Sequence, residues 1–195
     1  MKKRPDITAQ TRENLIQAFW GLYRQKRIEQ ISIKEITTLA GYTRGTFYEY
    51  FVDIYDVLNQ LEDGLLGYLR EKVLDSLGGR LSDDIIQKLG DIYDTKGEYL
   101  GTLLGETGDP NFANKLKSVM RPALVNTFGL PEEDMHTSYI FEFGMSAIIG
   151  TITHWYNNKK NLPSEEIVRL IRSMLAGGVL PEIKRYSYRS FSVPG

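Results

Sequence analysis

The sequence predicts an all-α protein. Apolar residues recur at spacings of three and four along most of the chain, which is the period of one helix face. Helix start signals precede several of these runs, among them the pair Ser32 and Glu35 and the dipeptide Asp109–Pro110. No segment alternates apolar and polar residues for long enough to predict a strand.

The first helix is expected from about Thr8 to Lys26. Its apolar stripe consists of Leu15, Ala18, Phe19 and Leu22, and its role is that of a scaffold. The basic residues Lys2, Lys3 and Arg4 precede Pro5, which disfavours helix, so they are expected to form a mobile arm. Such an arm either contacts a minor groove or phosphates, or is simply a disordered basic end.

Residues 32–51 predict two short helices joined by a tight turn. Ser32 and Glu35 form a capping box, so a helix begins at Ile33 and ends before Gly41, which suits the left-handed turn conformation. Thr43 caps the next helix. The helix that begins at Ile33 has a narrow apolar face of Ile33, Ile36, Thr37 and Ala40. The helix that Thr43 caps has a buried stripe of Phe47, Phe51 and Ile54.

The opposite face of this next helix carries Arg44, Gly45 and Tyr48. Free N–H groups at the helix amino end and the Arg44 guanidinium suit contact with phosphate, and Gly45 lets a backbone approach closely. The two helices of residues 32–51 are therefore interpreted as a helix-turn-helix DNA-binding unit.

The segment Ala40–Phe51, AGYTRGTFYEYF, resembles the signature of the TetR family of bacterial transcriptional regulators, roughly A-G-V-S-x-G-T-[FL]-Y-x-[HY]-F. The resemblance implies an all-helical homodimer, with a three-helix DNA-binding domain (1–52) and a larger domain (53–195) for dimerisation and effector binding. The residues that it places at DNA are Lys34, Thr43, Arg44, Gly45, Thr46, Tyr48 and Tyr50, to which we add Ser32 and the arm residues Lys3 and Arg4.

One position departs from the family pattern. The family usually has a phosphate-contacting lysine at the start of the fourth helix, where this chain has Ile54. Whether Ile54 weakens DNA binding is therefore open.

The charge distribution supports a polyanionic partner for the amino-terminal end. Residues 1–50 carry nine Lys and Arg against five Asp and Glu, a balance of +4. The other residues carry 15 against 20, a balance of −5. Such an asymmetry fits a DNA-binding first domain.

Composition restricts the other possibilities. The apolar share of 42% is normal for a protein with a core, and the chain has no cysteine. The basic start is not followed by an apolar run, and the longest apolar run, 143–152, is too short to span a bilayer. We expect a soluble, cytoplasmic protein without a membrane segment.

The second domain is expected to be helical throughout. After Asp53, a single apolar face continues from Ile54 to Val73 and predicts one long helix that ends at 77–79. The later start and stop signals predict helices over 82–94, 96–104, 109–128, 131–156 and 164–176, with Pro122 kinking the third of these.

Two of these helices are candidates for a dimer interface. Small and apolar residues share the helix over 131–156 and a second stripe follows it: Phe143, Ala147, Gly150, Ile152 and His154, then Ile167, Leu170, Ile171, Met174 and Leu175. In the family, the last two long helices pair with their twins as a four-helix bundle. The alternative is that they pack only within one chain.

The effector site is expected among bulky groups on the central helices. The candidates are Tyr93, Tyr99, Phe112, Met120, Phe141, Met145 and Trp155, each of which could equally be a plain core residue. Gly97, Gly101 and Gly105 share one helix face, which indicates either close helix packing or an enlarged cavity.

No catalytic constellation emerges from the sequence. Its two histidines, His136 and His154, lie about 27 Å apart if one helix holds both, too far to share a metal within one chain. No cofactor is implied. The leading hypothesis is a ligand-responsive repressor that binds a palindromic operator and is released by a small-molecule effector. A metabolite-sensing adaptor that binds a protein partner is the alternative.

Overall fold

The computed structural model describes residues 5–77 and 84–187 of the chain, and within these ranges the regular secondary structure is helical. The helices are α1 (Pro5–Tyr23), α2 (Ile33–Ala40), α3 (Arg44–Tyr48), α4 (Ile54–Leu77), α5 (Asp84–Leu103), α6 (Phe112–Phe128), α7 (Met135–Asn157), α8 (Ser164–Gly177) and α9 (Val179–Ser187). A short 3-10 turn, Ile28–Gln30, lies between α1 and α2. The all-α prediction is confirmed. None of the described helices is both long and apolar enough to cross a membrane.

The chain divides into two compact units between Leu65 and Leu66, within α4. The core of the first unit is made by all four of its helices, whose most buried side chains are Leu15, Phe19, Tyr23, Ile36, Phe47 and Val57. These units need not coincide with functional domains, so the predicted division into 1–52 and 53–195 stays a prediction.

The ends of α1 differ from the expected Thr8 and Lys26. The helix begins at Pro5, because a proline in the first turn loses no intrahelical hydrogen bond and already has a helical φ. It ends at Tyr23, after which the backbone turns through residues 24–26. The predicted scaffold stripe is retained, since Leu15 and Phe19 are fully buried.

The structure corrects three predictions about helix extent. The separate helices predicted over 82–94 and 96–104 form one helix, α5, because neither glycine nor proline interrupts residues 91–96. Ile54 does not continue the stripe of Phe47 and Phe51, because α3 ends at Tyr48 and Ile54 begins α4.

The third correction concerns α9, which the sequence did not predict. The sequence predicts that the last helix ends at 176, before Gly177 and Gly178, but the backbone departs from the helix only briefly there. Val179–Ser187 forms another helix that buries Ile183.

In the second unit, α5 and α7 pack closely at a glycine. A Cβ on Gly101 would overlap the ring of Tyr156, which lies directly against the α5 backbone. At this position the structure supports close helix packing rather than an enlarged cavity. Residues on α7 and α8 form an adjoining cluster of Trp155, Ile167 and Ile171.

Three described helices end in the same hydrogen-bonding pattern, the Schellman motif. At the end of α2, the N–H of Tyr42 donates to the carbonyl of Thr37, and at the end of α6 the N–H of Leu130 donates to the carbonyl of Val125. The residue in the left-handed conformation is Gly41 in the first motif and Gly129 in the second. At the end of α7, where Lys160 N–H donates to Trp155, that residue is Lys159, with φ 56°.

Lys159→Gly is therefore expected to stabilise the protein. A side chain in the left-handed region costs about 1 kcal/mol, part of which is offset by the larger unfolded-state entropy of glycine. The free energy of unfolding from urea denaturation should rise by up to about 1 kcal/mol. Asn158→Gly is the control, because Asn158 has φ −89° and gains nothing from glycine. Equal effects of the two substitutions would contradict the explanation.

Candidate nucleic-acid interface

The amino end of α2 is fixed by side chains on both sides of it. Glu35 accepts a hydrogen bond from the Ser32 N–H at 2.9 Å, while Ser32 Oγ accepts one from the Glu35 N–H at 3.3 Å, which completes the predicted capping box. Lys26 Nζ lies 2.7 Å from the other Glu35 oxygen. The hydrogen bonds from Lys26 and then from Ser32 lower the pKa of Glu35 to about 2.

The low pKa of Glu35 predicts a loss of stability in acid. Because its pKa falls from 4.5 to about 2 on folding, the carboxylate stabilises the fold fully above pH 4.5 and loses this contribution as the pH falls toward 2. Glu35→Gln should lower the melting temperature at neutral pH. The difference from wild type should shrink across this range in melts recorded at a series of pH values. A difference that stays constant down to pH 2 would contradict the assignment.

The turn between α2 and α3 is held from two directions. Gly41 has φ 75° and closes α2, as the sequence predicts. The hydroxyl of Tyr42 accepts a hydrogen bond from Asn14 Nδ2 of α1 at 3.0 Å. Thr43 Oγ1 then accepts from the Thr46 N–H at 3.2 Å and caps α3.

The five residues of α3 expose one face and bury the other. Phe47 is fully buried, and its ring lies 5.4 Å from that of Phe51. Arg44, Gly45 and Tyr48 are exposed. The face therefore presents a guanidinium, a bare backbone and a phenol to solvent.

Among the residues that the structure describes, none requires a glycine at position 45. Gly45 is helical, and the one described atom that a Cβ built on it would meet is Thr43 Oγ1 at 3.6 Å, an ordinary contact. Glycine in a helix costs about 0.5–1 kcal/mol relative to alanine. The absence of a side chain therefore makes sense if a partner outside the chain approaches the α3 backbone.

Gly45→Ala should have opposite effects on stability and on DNA binding. The free energy of unfolding should rise by about 0.5 kcal/mol, because alanine favours the helix. DNA affinity in a mobility-shift titration should fall several-fold, because the methyl group holds α3 away from the backbone of the duplex. Gly64→Ala is a matched control, since Gly64 is exposed within α4 and an added Cβ there meets no atom in the described part of the chain. A Gly45→Ala protein that binds DNA like wild type would show that the glycine is not there for close approach.

The structure gives a position to most of the predicted DNA-binding residues. Lys3 and Arg4 lie outside the described residues. The exposed members are Ser32, Lys34, Thr43, Arg44, Gly45 and Tyr48, and the half-buried ones are Thr46 and Tyr50. They lie on α2, α3 and the segments that flank these helices.

Three exposed apolar side chains in the same unit were missed: Leu39, Val52 and Tyr55. Leu39 lies off the apolar stripe of α2 that the sequence defines, and Val52 comes just before the start of α4. The outward position of Leu39 could have been found from this spacing.

Comparison with known proteins agrees with this geometry. A TetR-type family model described as a transcriptional regulator C-terminal region matches residues 82–177. The fold is similar to a TetR transcriptional regulator from Streptococcus agalactiae, with TM-score 0.65 and 19% identity over 87% of this chain and 96% of that one. The chain belongs to the TetR family of transcriptional regulators. DNA-binding regulation is therefore its class of function.

Two other solved structures have the same fold. A TetR-family transcriptional regulator from Streptomyces coelicolor matches with TM-score 0.66 and 16% identity, over 91% of this chain and 88% of that one. The fatty acid degradation regulator FadR from Bacillus halodurans matches with TM-score 0.63 and 18% identity, over 92% and 99%. None of the curated protein sequences matches this chain.

At the start of α4 this TetR-family protein has carboxylates near the position of the usual lysine. Asp53 Oδ1 accepts the Asp56 N–H at 2.8 Å, and Asp56 Oδ2 accepts the Val52 N–H at 2.9 Å. Ile54 itself is half-buried. The carboxylates of Asp53 and Asp56 therefore accept hydrogen bonds from two backbone N–H groups at this end of the helix.

One face of α7 in this TetR-family chain is exposed and apolar. Met135, Tyr139 and Phe143 are 71%, 71% and 67% exposed, and Ala147, Gly150 and His154 continue the same face. Of the predicted interface residues on α7, only Ile152 turns inward, where it packs against the Trp155 cluster. Met135 and Tyr139 extend the predicted face toward the start of the helix.

The predicted stripe on α8 divides between two directions. Ile167 and Ile171 are buried against Trp155, and Leu175 packs against them. Leu170 and Met174 are exposed. One part of the stripe therefore belongs to the core of the unit, and the other is free to contact a second chain.

The predicted effector residues lie mostly in the interior of the second unit. Phe112, Met120, Met145 and Trp155 are buried, while Tyr99 and Phe141 are half-buried. The Trp155 indole donates to the Leu162 carbonyl at 2.9 Å, and the Phe141 ring lies under Arg121. The side chain of Tyr93 lies outside the described part of the chain. Their role in ligand binding stays a prediction.

Proposed function

We propose that this TetR-family protein is a ligand-responsive repressor that binds a palindromic operator as a homodimer in the cytoplasm. The observation that carries the proposal is the exposed face of α3, where Arg44 and Gly45 stand above the buried Phe47. A cationic side chain next to an unobstructed helix backbone suits a phosphate-lined groove. Lys34 on α2 adds a second exposed cation.

Two copies of the chain are expected to meet through α7 and α8. The exposed row of Met135, Tyr139 and Phe143 is an apolar surface of the kind that subunit interfaces cover, and Ala147 and Gly150 allow close approach of a second helix. A symmetric pair presents α3 twice, and successive major grooves lie about 34 Å apart, so the operator should be an imperfect palindrome.

An effector would act by preferring the state of the dimer that does not fit the operator. The proposed contacts are Tyr93, Tyr99, Phe112, Met120, Phe141, Met145 and Trp155 of the second unit. Repression is the proposed direction of control, although the similar DhaS structure, with TM-score 0.54, is that of a dihydroxyacetone kinase operon activator. A transcription assay with and without the protein decides the direction.

The experiment that tests DNA binding is selection of genomic fragments followed by mobility-shift titration at several salt concentrations. An imperfect palindrome should be recovered. The logarithm of the binding constant should fall linearly with the logarithm of salt, by about 0.9 for each phosphate contact. Recovery of unrelated fragments, or an affinity that does not change with ionic strength, would contradict the proposal.

The acids at the start of α4 favour one other candidate, an adaptor that senses a metabolite and binds a protein. Asp53 and Asp56 stand near the position where the family usually has a phosphate-binding lysine. An adaptor would yield no palindrome in the selection and would co-purify with one stoichiometric protein partner. Recovery of an operator would exclude this candidate as the main function.

A further inference from the structure

The orientation of α3 depends on its neighbours, because the helix itself is very short. It has five residues, and an isolated helix of that length is not stable in water. Phe47 anchors its inner face in the core of the first unit. Its far end is continued by a connector, residues 49–53, which leads to α4.

Gln60 of α4 joins this connector to α1. Its Oε1 accepts hydrogen bonds from Arg12 Nε at 3.1 Å and from Arg12 Nη2 at 2.6 Å. Its Nε2 donates to Asp56 Oδ1 at 3.2 Å and points toward the Tyr50 carbonyl at 3.5 Å.

Two further contacts extend this network onto the connector. Asp56 Oδ2 accepts the Val52 N–H at 2.9 Å. The Arg12 guanidinium lies 5.8 Å from the centre of the Phe51 ring. Residues 50, 51 and 52 are thus contacted by side chains from α1 and α4.

The amide of Gln60 meets both demands at this position, as acceptor for Arg12 and donor to Asp56. An arginine is a donor only and a carboxylate is an acceptor only, so the two partners fix the orientation of the Gln60 amide. A glutamate there would still accept from Arg12 but would face Asp56 with a like charge. A methionine of similar length would make neither hydrogen bond.

We propose that Gln60 is a positioning residue for DNA recognition, because it links Arg12 to the connector and so fixes the direction in which α3 leaves the core. The inference rests on the proposed DNA-binding function. It assigns to α1 and α4 a part in operator recognition that requires no contact between their side chains and DNA.

The test compares wild type with Gln60→Glu and Gln60→Met. Each protein is titrated with the selected operator and with a random duplex of equal length, and its melting temperature is measured. Gln30→Glu is the control for added charge, since Gln30 is an exposed side chain of the same unit. Hydrogen exchange of the unbound proteins reports separately on the connector.

Gln60→Glu should retain the wild-type melting temperature, because the bond to Arg12 becomes charge-assisted. Its operator affinity should fall roughly tenfold, while its affinity for the random duplex should match that of Gln30→Glu. Gln60→Met should show a comparable loss for the operator. In both variants the Val52 amide should exchange faster than in wild type.

Two results would overturn the positioning role while leaving DNA binding intact. One is wild-type operator affinity in both Gln60 variants, and the other is an equal loss on operator and random duplex. Failure of the wild-type protein to bind any DNA would instead refute the proposed function, and the positioning role with it.

Discussion

Arg44→Ala is expected to lower operator affinity by about ten- to a hundredfold, corresponding to about 1–3 kcal/mol for one specific arginine contact. Arg44 is the first residue of α3 and its side chain is exposed, so its removal leaves the core of the first unit unchanged. The guanidinium can bind phosphate or a guanine edge through two parallel hydrogen bonds. Mobility-shift titration of the variant on the selected operator measures the loss.

Two further variants separate charge from geometry at this position. Arg44→Lys keeps the charge and should keep the salt dependence of binding, but it should lose sequence discrimination because an ammonium cannot form the paired hydrogen bonds. Arg70→Ala removes the same side chain from an exposed position of α4 in the second unit and should bind the operator like wild type. An equal loss of operator affinity in Arg44→Ala and Arg70→Ala would show that Arg44 acts only through the net charge of the chain.

Both ends of α2 and the start of α3 could be predicted because their signals are local. Ser32 and Glu35 satisfy each other's neighbouring N–H groups, Gly41 takes the left-handed conformation, and Thr43 caps α3 within three residues. None of these interactions depends on where the remainder of the chain lies. Sequence alone is therefore sufficient to define them.

Features that depend on contacts distant in sequence could not be predicted in the same way. The sequence predicts a boundary between two helices at Thr95, yet α5 continues through this residue. The spacing of Gly101 fits either close packing or a cavity, and the contact that decides between them is with the Tyr156 ring, 55 positions later. The role of Gln60 likewise depends on Arg12, which is 48 residues away in sequence.

Phe143→Glu is expected to convert the proposed dimer to monomers and to abolish detectable operator binding at concentrations that saturate the wild type. In the single chain Phe143 is 67% exposed, so the substitution costs little in its own core. In a dimer formed through α7, the same position would place two carboxylates in a desolvated apolar contact, which is strongly unfavourable. Loss of the second α3 also removes the roughly hundredfold or greater advantage of binding two half-sites at once.

Sedimentation and circular dichroism separate dissociation from misfolding. Phe143→Glu should sediment as a monomer and keep the helical signal of wild type, because the Phe143 side chain is exposed on α7, whereas Gly144 and Trp155 are buried. Asn114→Glu adds the same charge to an exposed position of α6 and should remain dimeric with full operator affinity. A Phe143→Glu protein that remains a dimer would place the interface elsewhere, and the exposed row that begins at Met135 would then need a different partner.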